Sequence, residues 1–329
     1  MADADGTRLP VFDDVRSAAA RLAGHARRTP LLAGTPLDDS TGGRILLKLE
    51  TLQHTGSFKF RGAYNRLAQI PTDRRAAGVV AFSSGNHAQG VAAAARLLGI
   101  PATIVMPADA PRVKMRNTLA LGAEVVEYDR LRESREAIAT RLARQRGAIL
   151  VPSFDDPDII AGQGTVGLEI VEQAAEAAAT LDVVVVCTSG GGLVAGTALA
   201  VRALSPATRI WSAEPAGHDD YRRSLASGQR ESNAPGIRSI CDALLAPEPG
   251  LLTFAINRPL LAGGLAVTDA EVRAAIAYAA RTLKLVVEPG GAVALAAVMN
   301  GRIDARGRTI AVVLSGGNID DALLREILG

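Results

Sequence analysis

Asp182-Val183-Val184-Val185-Val186-Cys187-Thr188-Ser189-Gly190-Gly191-Gly192-Leu193-Val194-Ala195-Gly196 decides the fold. The β-branched run 182–187 shows no polar alternation, which fits a strand buried on both faces, as in parallel sheets. A glycine loop follows, and beyond it apolar residues recur at helical spacing over 192–204. The unit is strand, tight turn, helix. The same alternation predicts further strands at 45–49, 78–82, 102–106, 124–127, 148–151, 209–213 and 309–314. Further helices are expected at 86–98, 112–121, 132–146, 269–283 and 290–300, the fourth opening on the capping box Thr268-Asp269-Ala270-Glu271. The expected class is α/β: open, twisted, mostly parallel sheets with helices on both faces.

Proline- and charge-rich stretches at 71–75 and 151–157 divide the chain. We expect a small mobile domain of residues 74–152 inserted in a large domain made of 1–73 plus 153–329. An insertion leaves a cleft, and in open parallel sheets ligands sit beyond the carboxyl ends of the strands.

Composition narrows the function. The 36 basic and 34 acidic residues leave a net charge of +2 and are spread evenly, so neither nucleic acid nor an anionic membrane is expected as a partner. Hydrophobic content of 48% with 21% charged residues is that of a globular chain acting on small molecules. Cys187 and Cys241 form no C-x-x-C pair, which favours a reducing compartment. Met1-Ala2-Asp3-Ala4-Asp5 does not read as a leader, and no apolar run reaches the roughly 18 residues of a membrane span. A cytoplasmic protein is expected.

Lys59 lies in Thr55-Gly56-Ser57-Phe58-Lys59-Phe60-Arg61-Gly62, at the start of a helix. Between two phenylalanines its amine is hard to solvate, burial would lower its pKa, and a neutral amine attacks carbonyls. An isolated lysine more often packs its stem and keeps its head in water, so its neighbours must decide. Ser189 to Leu193 offers free backbone amides at a helix start, which suits a phosphate and equally suits a plain tight turn. The same loop with Glu214, about 20 residues on, mimics a dinucleotide fingerprint. However, Gly190, Gly192 and Gly196 read G-x-G-x-x-x-G, so an NAD-dependent oxidoreductase is the weaker alternative; a non-catalytic metabolite-binding protein using the same cleft is another. Ser83-Ser84-Gly85-Asn86-His87 clusters donors at a helix start, which suits a carboxylate. A simple N-cap would account for one of these residues, not five. Ser315-Gly316-Gly317-Asn318 is a third such loop, and Glu214 to Asp220 gathers oxygens that are either solvated or ligands of a divalent cation.

A phosphate loop, a carboxylate pocket, a polar strand end and a buried lysine together describe a pyridoxal phosphate enzyme. The chain resembles the fold-type II family of these enzymes, in its serine/threonine dehydratase and serine racemase branch. Ser57-Phe58-Lys59-Phe60-Arg61-Gly62-Ala63, Ser83 to His87, Ala161-Gly162-Gln163-Gly164-Thr165, the glycine loop, Val287-Glu288-Pro289-Gly290-Gly291-Ala292 and Ser315 to Asn318 stand in the family's order, nearly end to end. The resemblance implies a cofactor in the cleft between large and small domains, with Lys59 as Schiff-base lysine and α-proton base. It further implies that Phe58 packs on the pyridine ring, Asn86 bonds its phenolic oxygen, Ser189, Gly190, Gly191, Gly192 and Leu193 bind its phosphate, and Ser315 faces its nitrogen. Gly236 and Glu288 match positions lining that pocket. Ser83, Ser84, Asn86, His87 and Arg135 match substrate-carboxylate contacts, and Ser84 is also the serine that reprotonates the opposite face in racemases. Phe154 matches the dehydratase form. Glu214, Asp220 and the His218 carbonyl match a Mg²⁺ site that also admits Ca²⁺ or Mn²⁺.

The implied activity is dehydration and deamination of L-threonine or L-serine by a threonine/serine ammonia-lyase, acting as a homodimer. The alternatives are 3-hydroxyaspartate dehydratase and serine racemase. The first needs a further cation near the β-carbon, for which Arg61, His54 and Arg238 are the donors considered. With the chain ending at Gly329, no C-terminal regulatory domain and no control by isoleucine are expected.

Overall fold

The computed structural model describes residues 8–83, 85–110 and 112–329. Its strands are β1 (Leu31–Leu32), β2 (Arg44–Leu49), β3 (Val79–Phe82), β4 (Ala102–Pro107), β5 (Glu124–Tyr128), β6 (Ile149–Leu150), β7 (Val183–Cys187), β8 (Arg209–Pro215), β9 (Gly263–Val267) and β10 (Thr309–Leu314). The helices are α1 (Phe12–Leu22), α2 (Leu37–Thr41), α3 (Lys59–Ala68), α4 (Asn86–Leu98), α5 (Arg112–Ala120), α6 (Arg135–Arg146), α7 (Pro157–Glu176), α8 (Gly192–Leu204), α9 (Asp220–Ser227), α10 (Leu251–Leu260), α11 (Asp269–Tyr278), α12 (Pro289–Met299) and α13 (Asp321–Leu328).

Two sheets result. The larger runs β1-β2-β10-β7-β8-β9 and is parallel except where β1 meets β2; the smaller runs β5-β4-β3-β6 and is parallel throughout. Every expected strand is present, within two residues at its ends. In the smaller sheet Val79 and Ala81 face a cluster with Phe60 and Tyr64, whereas Val80 faces Val105, Ile138 and Ala139. Both faces are therefore covered, which is why these strands read as continuous apolar runs. The larger sheet carries the main core, with the valines of β7 and β10 fully or almost fully buried.

Strand register brings the functional loops together. Leu314 of β10 pairs with Leu49 of β2, and Val312 pairs with Val185 of β7. The segments leaving these three strands lead to Lys59, Ser315 and Ser189.

Among the elements that the sequence reading did not list, α7 and β9 share one physical reason, close approach by glycine. α7 is 20 residues long, N-capped by Asp156, and carries Gly162, Gly164 and Gly167, a density that reads as loop. These glycines instead let backbones touch: a Cβ on Gly162 would lie 2.6 Å from the Gly62 Cα, and one on Gly164 would lie 2.8 Å from the Gly196 carbonyl oxygen. β9 opens on Gly263 and Gly264, which pack against the Trp211 ring and the Arg222 backbone, so it too lacked a strand-like start.

Gly196 is the tightest of these contacts, since a Cβ there would overlap the Ile160 carbonyl and lie 2.5 Å from the Gly164 nitrogen. Gly196→Ala should therefore cost roughly 3 kcal/mol or more, seen as a melting temperature several degrees lower. An unchanged melting temperature would show that α7 and α8 have room to separate.

Candidate active site

β2, β7 and β10 of the larger sheet and β3 and β6 of the smaller one release their chains toward one cavity of about 550 Å³. That volume suits a small cofactor with its substrate. Phe58, Lys59, Ser83, Asn86, His87, Arg135, Phe154, the whole of Ser189 to Leu193 and Ser315 line it.

Lys59 is the first residue of α3. The Phe58 amide bonds the Ser315 carbonyl at 3.0 Å, which stitches the start of α3 to the end of β10. The Lys59 Nζ donates to the Ser153 carbonyl at 2.6 Å and stands 5.2 Å from the Phe58 ring centroid. No carboxylate among the described residues compensates its charge, and burial away from bulk water lowers its pKa to about 8.

The glycine loop shows how backbone becomes an anion cradle. The Gly190 carbonyl accepts from Thr253 Oγ1 at 2.6 Å and from the Gly250 amide at 3.2 Å, and the Gly191 carbonyl accepts from Asn257 Nδ2 at 3.3 Å. In a planar trans peptide the next N–H points the opposite way, so the amides of Gly191 and Gly192 face away from these partners. Gly191 has φ +95°, and a Cβ there would overlap Tyr221; a Cβ on Gly190 would lie 2.5 Å from the Phe154 ring. Only glycine fits either place. Ser189 Oγ accepts from the Ala246 amide at 3.0 Å. With Lys59 across the cavity, the residues fit a phosphorylated aldehyde.

At the end of β3, α4 begins at Asn86, capped by no side chain among the described residues. Its first-turn amides have no intrahelical acceptor and supply a site for an anion. Asn86 Oδ1 accepts from Asn318 Nδ2 at 2.8 Å, while its Nδ2 donates to Glu288 Oε1. Two partners thus fix which end of the amide is presented. Asn318 belongs to the Ser315 loop but received no role from sequence, because its contact with Asn86 joins residues far apart in the chain. Ser315 stands beside Cys187, whose thiol burial pushes up to about 11.

Several expectations need correction. Gly236, at φ +82°, lies in an exposed turn where a Cβ would meet nothing within 4 Å, and it does not line the cavity. Glu288 does not itself line the cavity but backs two residues that do, bonding Asn86 and standing 3.7 Å from Lys114 Nζ. The His87 ring does not donate toward the cavity. Its Nε2 meets the Val151 carbonyl at 3.1 Å, so that nitrogen carries the proton, and burial together with the Lys59 charge lowers its pKa to about 3. Arg135 lines the cavity but pairs with Glu136 at 2.8 Å. Ser84 lies outside the described residues. Arg61, His54 and Arg238 are not at the cavity: Arg61 is buried between Glu50 and Glu169, His54 packs on Phe60, and Arg238 is exposed.

Glu214 does not face a ribose either. Its carboxylate oxygens accept from the Tyr221 and Arg222 amides at 2.9 and 2.7 Å, which removes the dinucleotide alternative. Burial and the charge of Asp220 raise its pKa well above the ordinary value, and burial raises Asp220 to about 6. Asp220 Oδ2 has no partner among the described residues. No group of three His, Cys, Asp or Glu side chains converges on a metal position among the described residues.

Comparison with known proteins agrees with this geometry. A family model described as pyridoxal-phosphate dependent enzyme matches residues 22–316. The chain is 46% identical over 314 residues to an L-threo-3-hydroxyaspartate ammonia-lyase of a Pseudomonas species, covering 95% of this chain and 97% of that protein. It is 40% identical over 317 residues to an L-threonine ammonia-lyase of Thermotoga maritima, covering 96% of this chain and 78% of that one. Among solved structures, maize serine racemase matches with a TM-score of 0.91 at 38% identity, over 97% of both chains.

A Lys59 amine that loses its proton near pH 8 becomes nucleophilic above that pH. Uptake of pyridoxal phosphate by the apoprotein, followed by visible absorbance, should therefore quicken with pH and level off above about 8. A rate still climbing toward pH 10 would show that the amine is an ordinary solvated lysine.

Proposed function

The chain belongs to the pyridoxal-phosphate dependent enzymes, and from that premise we propose that it dehydrates and deaminates a β-hydroxy amino acid to a 2-oxo acid and ammonia. The uncompensated Lys59 amine facing a backbone anion cradle is the observation that carries this assignment. When bound, pyridoxal phosphate supplies an electron sink that withdraws charge from the substrate α-carbon. The amides of Gly191 and Gly192 would hold its phosphate, Asn86 would offer its amide to the phenolic oxygen, and Phe58 and Ser315 would bound its ring. A hydroxyl at Ser315, unlike a carboxylate, does not hold a proton on the ring nitrogen.

Lys59 would hold the cofactor aldehyde, and its free Nζ would take the α-proton of the substrate. The substrate carboxylate is received by Ser83, by Asn86 and by the first-turn amides of α4, including that of His87. Loss of the α-proton and the β-hydroxyl amounts to loss of water, and hydrolysis of the resulting enamine yields the 2-oxo acid and ammonia. Residues 74–152 carry the smaller sheet, and we take them to move as a unit that brings Arg135 toward the carboxylate. The working form is taken to be a cytoplasmic homodimer, in keeping with two free, buried cysteines and with the prevalence of symmetric dimers.

Glu214, Asp220 and the His218 carbonyl would hold Mg²⁺, Ca²⁺ or Mn²⁺. A cation there would favour the charged form of both buried carboxyls, which burial disfavours, and would give Asp220 Oδ2 a partner. Its role is structural, at the start of α9.

Screening L-threonine, L-serine and L-threo-3-hydroxyaspartate for 2-oxo acid and ammonia release tests the activity directly. Release from at least one is expected, and release from none overturns the assignment. Chiral analysis of the same mixtures reads racemisation, the alternative raised by Ser84. For the cation, millimolar Mg²⁺ should raise the melting temperature of the protein but not of its Asp220→Asn variant, and equal responses would reject the site.

A further inference from the structure

Besides Lys59, the cavity is lined by Lys114, Arg130, Arg135 and Arg230 among the described residues. Three of these cations keep contact with water and are already engaged. Arg130 is 46% exposed and pairs with Asp109, Arg135 is 40% exposed and pairs with Glu136, and Arg230 is 25% exposed and bonds Glu248 and the Pro249 carbonyl. Lys114 is different, at 6% exposure. It projects from α5, on the segment that carries the smaller sheet, and its stem runs along Gly85, the residue preceding α4. A Cβ on Gly85 would lie 2.8 Å from Lys114 Cδ and 3.2 Å from its Nζ. The ammonium therefore stands against the loop that receives the substrate carboxylate.

Its partners come from the chain beyond α9. Nζ meets Asp242 Oδ2 at 2.7 Å and Glu288 Oε2 at 3.7 Å. Burial works against charge on Lys114, but the two carboxylates outweigh it and raise its pKa. The ion pair with Asp242 is unequal, because Asp242 is 39% exposed and can return to water, whereas Lys114 cannot. With Asp242 gone the ammonium keeps only Glu288 at 3.7 Å, beyond hydrogen-bond distance, and gains from a carboxylate that can bond it directly. Threonine and serine bring none, since their β-substituents are uncharged. A substrate with a carboxylate on the β-carbon brings one.

We propose that Lys114 is the specificity-determining residue of this cavity: it binds a carboxylate on the substrate β-carbon in exchange for Asp242, so the preferred β-hydroxy amino acid is 3-hydroxyaspartate. This rests on the assignment of β-elimination above and names its substrate class. The ammonium takes the place that Arg61, His54 and Arg238 do not fill. Nothing in Pro111-Arg112-Val113-Lys114-Met115-Arg116 announces this role, because the register of α5 against Gly85 is a tertiary fact.

Two measurements on the holoenzyme test it. Lys114→Met keeps the apolar stem and removes the charge, and kcat/KM should fall at least about ten times further for L-threo-3-hydroxyaspartate than for L-threonine. Equal falls for both substrates, or no fall with 3-hydroxyaspartate, overturn the proposal. Calorimetric titration with succinate and with butyrate reads the same site without turnover. The protein should bind succinate at least about tenfold tighter than butyrate, Asp242→Asn should widen that ratio, and Lys114→Met should abolish it. A ratio near one in the unmodified protein, or a widening by Asp242→Asn that persists without Lys114, overturns it. If no substrate is turned over, the β-elimination assignment fails while calorimetry still decides the role of Lys114.

Discussion

Keeping one lysine amine out of bulk water without giving it a carboxylate is the constraint on which this structure depends. The contrast with its neighbours is instructive. The Lys48 ammonium spends its three donors on the Thr29 carbonyl, Glu169 and Gln173, at 2.6 to 2.7 Å. Lys114 has Asp242 and Glu288. Lys59 has a single backbone carbonyl and no carboxylate among the described residues, so burial lowers its pKa to about 8 and leaves it a lone pair to offer. The helix that carries it is fixed by the most heavily bonded side chain in the core. Two residues on, the buried Arg61 grips Glu50 with Nε and Nη2 at 2.8 Å each, and Glu169 with Nη1 at 2.6 Å. These contacts tie α3 to the chain leaving β2 and to α7, so the amine is aimed by a rigid frame.

The other half of the site is made of backbone. Parallel strands deliver their carboxyl ends to one side, and the loops beyond them turn carbonyls outward and leave amides for anions. Thr253, Asn257 and the Gly250 amide hold the outward carbonyls in place. Asp155 in turn accepts the amides of Leu251, Leu252 and Thr253, so the segment that lines the cavity also caps α10, the helix that orients the glycine loop. Glycine serves twice, once where Gly190 and Gly191 let this loop form and again where Gly162, Gly164 and Gly196 let helices meet backbone to backbone.

Elements with a local cause were legible in the sequence. The valine runs of β7 and β10 announce two-faced burial, and the order of Ser57 to Gly62, Ser83 to His87, Ser189 to Leu193 and Ser315 to Asn318 announces the chemistry. What stayed hidden depends on distant partners. α7 was hidden because its glycines pack against Gly62 and Gly196, and the roles of Asn318 and Lys114 were hidden because their partners lie far along the chain. Gly236 failed in the other direction, since motif position alone could not tell that its turn faces solvent.

The most direct test of the central claim uses the scarcity of lysine, which occurs only at 48, 59, 114 and 284. The protein loaded with pyridoxal phosphate is reduced with borohydride, digested and mapped by mass spectrometry. The account predicts the cofactor mass on the peptide containing Lys59 and on no other. An adduct on Lys114 or Lys284, or none at all, would contradict it.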